Sequence, residues 1–201
     1  MARYITAEDV GVSVADMEIV RTQTKHVGGL AGGSGKSGGD PSPFTARGVR
    51  VGIEAAVRAQ MGRHDLAGLK VAVQGLGHVG MYLCKELFDL GAHLAVADID
   101  PAKVSEAQQR FGAVGVSTDD ILTQKVDIVA PCALGSTVTE YAARYIQASI
   151  VAGAANNQLA TPEAGRILGE RGILYAPDYV INAGGIIMVQ AELSVITTPT
   201  W

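Results

Sequence analysis

The glycine pattern Gly75-x-Gly77-x-x-Gly80 constrains the fold of this chain more than any other feature. It joins an apolar, β-branched run at 70–74 to an amphipathic run at 81–90. A strand, a glycine turn and a helix in this order form the opening unit of a parallel α/β sheet that binds a dinucleotide. The pattern therefore predicts a Rossmann-like domain.

Each glycine of the turn has a predicted role. Gly75 permits the tight bend, Gly77 lets the backbone approach a diphosphate, and Gly80 lets the helix pack closely on the strand. The backbone N–H groups at the start of the helix are expected to face the phosphates. The predicted cofactor-binding residues of the turn are Gly75, Leu76, Gly77, His78, Val79 and Gly80. The alternative is an ordinary strand-to-helix turn.

Asp98 ends the next apolar run, at 93–98. Its carboxylate would accept hydrogen bonds from an adenine ribose diol, and it would repel a 2′-phosphate by several kcal/mol at about 4 Å in a medium of intermediate dielectric. This position predicts NAD rather than NADP as the cofactor. The alternative is that Asp98 caps the turn before Pro101.

The rest of the chain repeats the strand-and-helix alternation. Helices are predicted at 44–61 and at 101–111, the second with Asp100 as N-cap and Pro101 in its first turn. Further apolar strands are predicted at 126–130, 150–154 and 173–175. This alternation predicts a doubly wound, mainly parallel sheet with helices on both faces.

A glycine-rich run at 28–39 separates a short N-terminal piece from this domain. We interpret it as a linker, so that residues 1–40 and 41–201 form two units. The Gly35-Lys36-Ser37 triplet resembles the end of a phosphate-binding P-loop. That alternative fails because Leu30 stands where the motif needs its first glycine and Pro41 follows too soon for the helix.

Composition excludes several classes of function. There are 16 basic against 20 acidic side chains, a net charge of −4, and no long basic run, which argues against a nucleic-acid partner. The sequence contains no uncharged apolar stretch of about 18 residues, so no membrane span is predicted. The N-terminus also lacks the apolar run of a signal peptide, and a cytoplasmic location is therefore expected. Cys84 and Cys132 lack metal-ligand spacing, so no metal is predicted and both are expected to be buried free thiols.

Five ordered segments resemble the Glu/Leu/Phe/Val amino-acid dehydrogenase family, with its leucine-specific branch nearest. They are 3–11 (RYITAEDVG), 41–46 (PSPFTA), 131–135 (PCALG), 152–158 (AGAANNQ) and 176–185 (APDYVINAGG). The resemblance implies NAD-dependent oxidative deamination of an L-amino acid to its 2-oxo acid and ammonia. It also implies that full-length members are homo-oligomers.

The resemblance assigns roles to particular residues. Asp9 matches the catalytic aspartate that exchanges a proton with the substrate amine, with a surface or cap carboxylate as the alternative. Thr45 matches the residue that contacts the nicotinamide amide, although a threonine after Pro43 is also a candidate N-cap. Further cofactor contacts are implied at the ends of later strands, at Cys132, Ala133, Asn156, Asn157 and Asn182.

Ala7, Ile186 and Val189 match positions beside the substrate side chain. All three are aliphatic and modest in size, which favours leucine, valine or isoleucine as substrate. One methylene shifts preference by only about 1–3 kcal/mol, so phenylalanine is the alternative.

The resemblance also implies an earlier α/β domain whose lysines bind the substrate carboxylate and act as general base. The chain does not contain this domain, so residues 1–40 are interpreted as a remnant of it together with the interdomain linker. The expectation is an isolated fragment that is inactive, with exposed apolar surface around Ile5, Met17 and Ile19. A stand-alone NAD-binding module is the alternative.

Overall fold

A six-stranded parallel sheet forms the centre of the computed structural model, which describes residues 4–9, 11–30 and 39–194, without the side chains of 192–194. The strand order is β3-β2-β1-β4-β5-β6, and every neighbouring pair is parallel. The strands are β1 (Lys70–Gln74), β2 (His93–Ala97), β3 (Val114–Gly115), β4 (Ile128–Pro131), β5 (Ile150–Val151) and β6 (Leu174–Tyr175). This is the strand order of a doubly wound Rossmann sheet, and it confirms the predicted α/β class.

The helices of the described residues alternate with these strands. They are α1 (Val14–Arg21), α2 (Ser42–Met61), α3 (His78–Asp89), α4 (Pro101–Phe111), α5 (Glu140–Tyr145), α6 (Pro162–Glu170), α7 (Asp178–Ile181) and α8 (Gly184–Ser194). A short 3₁₀ turn covers Ile121–Thr123. None of the described helices has the length and apolar character needed to cross a bilayer.

The two faces of the sheet bury separate apolar cores. Val71 and Val73 of β1 pack into the core that contains side chains of α2, α3 and α4, whereas Ala72 packs into the core that contains those of α5 and α6. Successive strand residues point to opposite faces, so this division follows from the pleat. The predicted placement of helices on both faces is confirmed.

Local signals set α4 at the predicted bounds. The Asp100 side chain accepts a hydrogen bond from the Ala102 N–H at 2.9 Å, and Pro101 begins the helix. Gly112 ends it in the left-handed region, at φ +61°. Cap, proline and terminal glycine are short-range features, so they act without help from the rest of the fold.

Other elements differ from the predicted bounds. Strand β3 was not predicted; it is two residues long and exists through its pairing with β2. Strand β5 ends at Val151, before the predicted 154, and the chain then packs closely on the end of β4: a Cβ on Gly153 would lie 2.1 Å from the Pro131 carbonyl oxygen. Helix α3 begins at His78, inside the glycine pattern and before the predicted amphipathic run at 81–90.

Residues 4–9 lie beside residues 26–28 of the same N-terminal piece. The Thr6 N–H donates to the His26 carbonyl at 3.1 Å, and Thr6 pairs with Val27 in an isolated parallel bridge. Ile5 and Ile19 are exposed as expected, but Met17 is buried, so that part of the prediction is wrong. Met17 and Ile19 are two residues apart, about 200° around the axis of α1, and therefore face opposite sides.

The division into units at residue 40 stays a prediction. Most of the predicted linker, at 31–38, including the Gly35-Lys36-Ser37 triplet, lies outside the described residues.

Candidate active site

A cleft of about 890 Å³ opens at the carboxyl ends of β1 and β4. The chain leaves β1 toward β2 on one side and, after β3, returns to β4 on the other, so the loops that follow β1 and β4 separate at this edge. Such a switch point is where parallel α/β sheets bind ligands.

Most of the predicted site residues line this cleft, although they come from six separate segments. The lining contains Ala7, Asp9, Thr45, Gly77, His78, Val79, Cys132, Ala133, Asn156, Asn182, Ile186 and Val189. The other predicted residues are described but lie outside the lining; they are Gly75, Leu76, Gly80, Asp98 and Asn157.

The three glycines of the turn differ sharply in their surroundings. Gly75 has φ +92°, and a Cβ there would lie 2.7 Å from the Ala133 N. A Cβ on Gly80 would lie 2.0 Å from the Gly75 carbonyl oxygen, whereas no atom of the described residues lies within 4 Å of one on Gly77. Gly75 and Gly80 are thus required by the packing of the turn itself. Gly77 is the N-cap of α3, and packing among the described residues does not require a glycine there. Its missing side chain leaves space in which a bound group could approach the backbone.

The Asp98 carboxylate is fixed by two backbone donors. Its Oδ2 accepts from the Leu76 N–H at 2.5 Å, and its Oδ1 accepts from the Asp100 N–H at 2.9 Å. The first bond ties the end of β2 to the glycine turn, and the second caps the turn before Pro101, which was the alternative role. Asp98 therefore holds the turn in place while its remaining lone pairs stay available.

Asn156 and Asn182 meet across the cleft wall. The Asn182 Nδ2 donates to the Asn156 Oδ1 at 2.5 Å and to the Ala154 carbonyl at 3.1 Å. Asn157 is different: it has φ +51°, and its carbonyl accepts from the Ser136 N–H at 2.7 Å. Its backbone joins the loops after β4 and β5, which accounts for an asparagine there.

Thr45 lies in the first turns of α2, and its Oγ1 donates to the Pro41 carbonyl at 3.2 Å. It is not the N-cap of that helix, so the alternative role is wrong. A Cβ on Gly185 would lie 2.4 Å from this Oγ1, so α8 packs directly on the Thr45 hydroxyl.

The three aliphatic residues predicted beside the substrate side chain line the cleft, as do the carboxylates of Glu8, Asp9 and Asp16. Val189 is 6% exposed and Ile186 is 67% exposed, so Ile186 presents an open aliphatic surface. Asp9 is exposed and lines the same cleft.

Neither cysteine offers a thiolate. Cys84 is buried, whereas Cys132 is only partly buried because it lines the cleft, a correction to the expectation that both are buried. Burial raises the pKa of the Cys132 thiol to about 12 and raises that of Cys84 still further. Both thiols are neutral at pH 7, which fits packing and not nucleophilic chemistry.

Several polar residues of this region were not predicted. Glu8 and Lys103 line the cleft, and Asp40 lies close to Glu8. Burial and the Asp40 carboxylate raise the pKa of Glu8, and His78 opposes the rise. The sequence could have indicated Lys103, because it lies in the first turn of the helix that follows Asp98. The pairing of Glu8 with Asp40 had none, because the two belong to separate segments.

The family model for Glutamate/Leucine/Phenylalanine/Valine dehydrogenase matches residues 32–106 and 100–198. The chain belongs to this dehydrogenase family. It is 50% identical over 191 residues to leucine dehydrogenase of Bacillus subtilis, a match that covers 95% of this chain and 52% of that protein. L-tryptophan dehydrogenase of Nostoc punctiforme is 47% identical over 192 residues, covering 95% of this chain and 53% of that protein.

The crystal structure of L-tryptophan dehydrogenase from Nostoc punctiforme matches this fold with a TM-score of 0.80 at 44% identity. That match covers 96% of this chain and 54% of the other. The chain thus spans about half the length of the dehydrogenases that it matches.

Proposed function

We propose that this chain is the cofactor-binding part of an NAD-dependent L-amino-acid dehydrogenase that deaminates leucine, valine or isoleucine. One observation carries the proposal: a single cleft at the switch point of the sheet is lined by the family's cofactor motifs and by its substrate-side motifs. Bound NAD supplies the hydride acceptor. Family resemblance and composition further support self-association and a cytoplasmic location.

The residues of the cleft fit a dinucleotide in the following way. The space in front of Gly77 admits a diphosphate at the N-terminus of α3, where the free N–H groups and the helix dipole attract anions. Asp98 would accept the ribose hydroxyls at the end of β2. Thr45, Asn156 and Asn182 would hold the nicotinamide end, and the hydrogen bond between the two asparagines keeps their amides oriented.

The proposed reaction converts an L-amino acid and water into a 2-oxo acid and ammonium. Two electrons and one proton pass as hydride to the cofactor, and one further proton is released to solvent. Asp9 would exchange a proton with the nitrogen as the imine and carbinolamine form. The substrate carboxylate needs a cationic partner, which the resemblance assigns to lysines of an earlier domain. We therefore propose that turnover requires that second domain to close on this cleft.

Ala7, Ile186 and Val189 support the aliphatic substrate class. Overall identity to relatives does not choose between aliphatic and aromatic substrates, since the leucine and tryptophan dehydrogenases are 50% and 47% identical. The choice rests on the size of these three side chains, with phenylalanine as the alternative.

The cofactor assignment is tested by titrating the chain with NADH and NADPH and following nicotinamide fluorescence. We expect at least about tenfold tighter binding of NADH, a difference of about 1.4 kcal/mol, because the Asp98 carboxylate repels a 2′-phosphate. Asp98→Asn retains an acceptor for the Leu76 N–H but removes the charge, so it should reduce this preference. Lys103→Ala is the control, because Lys103 lines the cleft and its ammonium group would attract the 2′-phosphate of NADPH. Equal affinity for both cofactors, or an unchanged preference in Asp98→Asn, would contradict the assignment.

The reaction is tested by co-expressing the chain with the N-terminal half of Bacillus subtilis leucine dehydrogenase and measuring NADH formation. Leucine should give a higher kcat/KM than phenylalanine, and Asp9→Asn should lower kcat at least about 100-fold. Asp119→Asn, an exposed carboxylate away from the cleft, is the matched control. An assembled complex that binds NADH but forms none would favour the stand-alone NAD-binding module. A higher kcat/KM for phenylalanine would refute the aliphatic assignment.

A further inference from the structure

Three potential metal ligands meet at the N-terminus of α3, where the cofactor diphosphate is proposed to bind. Glu8, Asp40 and His78 each offer one ligand atom, and these three atoms lie within 4.8 Å of one another. The sequence separates the residues widely, so no spacing motif reveals the cluster.

Each ligand is held by a different part of the backbone. Glu8 follows the Thr6–Val27 bridge and packs on Gly29, where a Cβ would lie 3.3 Å from both the Glu8 N and Cβ. The Asp40 Oδ1 accepts from the Ser42 N–H at 2.8 Å at the start of α2. His78 is the first residue of α3. Three independent anchors thus bring the ligands together before anything binds.

One carboxylate oxygen of the cluster lacks both a hydrogen-bond donor and a cation in the described part of the chain. The Glu8 Oε2 is buried and has no hydrogen-bond partner among the described residues. In the described part of the chain, the lysine and arginine ion pairs involve other carboxylates, and none includes Glu8 or Asp40. A buried acceptor without a donor is destabilising unless a cation or a proton satisfies it.

We propose that Glu8, Asp40 and His78 form a binding site for a divalent first-row transition cation. Two carboxylate oxygens and one imidazole nitrogen suit Mn²⁺ or Zn²⁺, and three protein ligands leave positions open for water. Ligand atoms around Zn²⁺ stand about 3.4 Å apart, given metal–ligand bonds of about 2.1 Å, so side-chain rotation closes the site. His78 is exposed, which permits that rotation.

The site has a consequence for the cofactor, and that consequence rests on the proposed function. Two carboxylates beside the N-terminus of α3 repel a diphosphate, and a divalent cation between them cancels their charge. Cation binding itself needs no cofactor, so it is measured without NAD. Failure of one proposal is therefore distinguishable from failure of the other.

The test uses the 201-residue chain after dialysis against EDTA. Mn²⁺ alone is titrated by electron paramagnetic resonance and Zn²⁺ alone by calorimetry, with thermal unfolding as a second readout. We expect one saturable site per chain and a higher Tm with the cation, as for any ligand of the folded state.

The variants Glu8→Gln, Asp40→Asn and His78→Asn should each weaken binding at least about tenfold, since even outer-sphere losses cost 10–100-fold. His64→Asn and Asp119→Asn alter exposed residues outside the cluster and should leave affinity unchanged. Circular dichroism checks the fold of each variant, and the exposed His78 provides a substitution that does not disturb packing. Absence of a saturable site below 1 mM, which is about 4 kcal/mol of binding, overturns the proposal. Binding that survives all three cluster variants does the same.

Discussion

Replacing Gly80 by alanine tests whether the glycine turn is fixed by packing. The new Cβ would lie 2.0 Å from the Gly75 carbonyl oxygen and 3.0 Å from its carbon. Both are backbone atoms, so no side-chain rotation relieves the clash. Helix α3 must instead move away from β1 by more than 1 Å, which disturbs the bond from the Leu76 N–H to Asp98.

The expected loss of stability in Gly80→Ala follows from this geometry. Overpacking a well-packed core costs about 1–3 kcal/mol, and a clash between backbone atoms belongs at the upper end. For a chain of this size, about 3 kcal/mol lowers Tm by roughly 6–12 °C. Gly77→Ala is the matched control: the same methyl group is added three residues earlier, where no atom in the described part of the chain lies within 4 Å. Gly77→Ala changes the N-cap of α3 and should lower the free energy of unfolding by less than about 1 kcal/mol.

Urea unfolding followed by circular dichroism measures both variants, and NADH fluorescence measures their binding. Gly80→Ala should lose stability, whereas Gly77→Ala should keep its stability and lose at least about tenfold in NADH affinity, because its methyl group occupies the space proposed for the diphosphate. Equal stability of the two variants would refute the packing argument. Unchanged NADH affinity in Gly77→Ala would refute the placement of the diphosphate.

Two further predictions concern stability alone. The raised pKa values of Cys84 and Cys132 mean that the folded state keeps protons that the unfolded chain loses above about pH 9. The free energy of unfolding should therefore fall with rising pH from about 9 toward 12, by up to about 1.4 kcal/mol per pH unit for each thiol. Urea unfolding between pH 7 and 10.5 should show a shallower fall in a Cys84→Ala/Cys132→Ala variant, and identical slopes would contradict the linkage. Arg171 donates to the Ala143 and Ile146 carbonyls at the end of α5, both at 2.7 Å. Arg171→Met should therefore lower the free energy of unfolding by about 1 kcal/mol in the same assay. Arg110→Met is the control, and equal losses in the two variants would argue against this role of Arg171.

Sequence reasoning succeeded where structure is decided over a few residues. The bounds of α4 follow from an N-cap aspartate, a proline and a terminal glycine, and β1 follows from a short β-branched run before a glycine turn. Ordered motifs likewise predicted the family, and most of the residues that they assigned to the site line the cleft. Such signals need only dihedral preferences, side-chain capping and periodicity, all of which lie within one segment of the chain.

Tertiary structure decided what depends on contacts between segments. Strand β3 has two residues, too few for any pattern, and exists because β2 offers it a pairing edge. Asp98 gained a second role because the glycine turn lies beside the end of β2. Glu8, Asp40 and His78 became neighbours because a bridge at Thr6, the start of α2 and the start of α3 converge. Packing between elements distant in sequence fixes these positions, and no local preference encodes the distance between side chains on different segments.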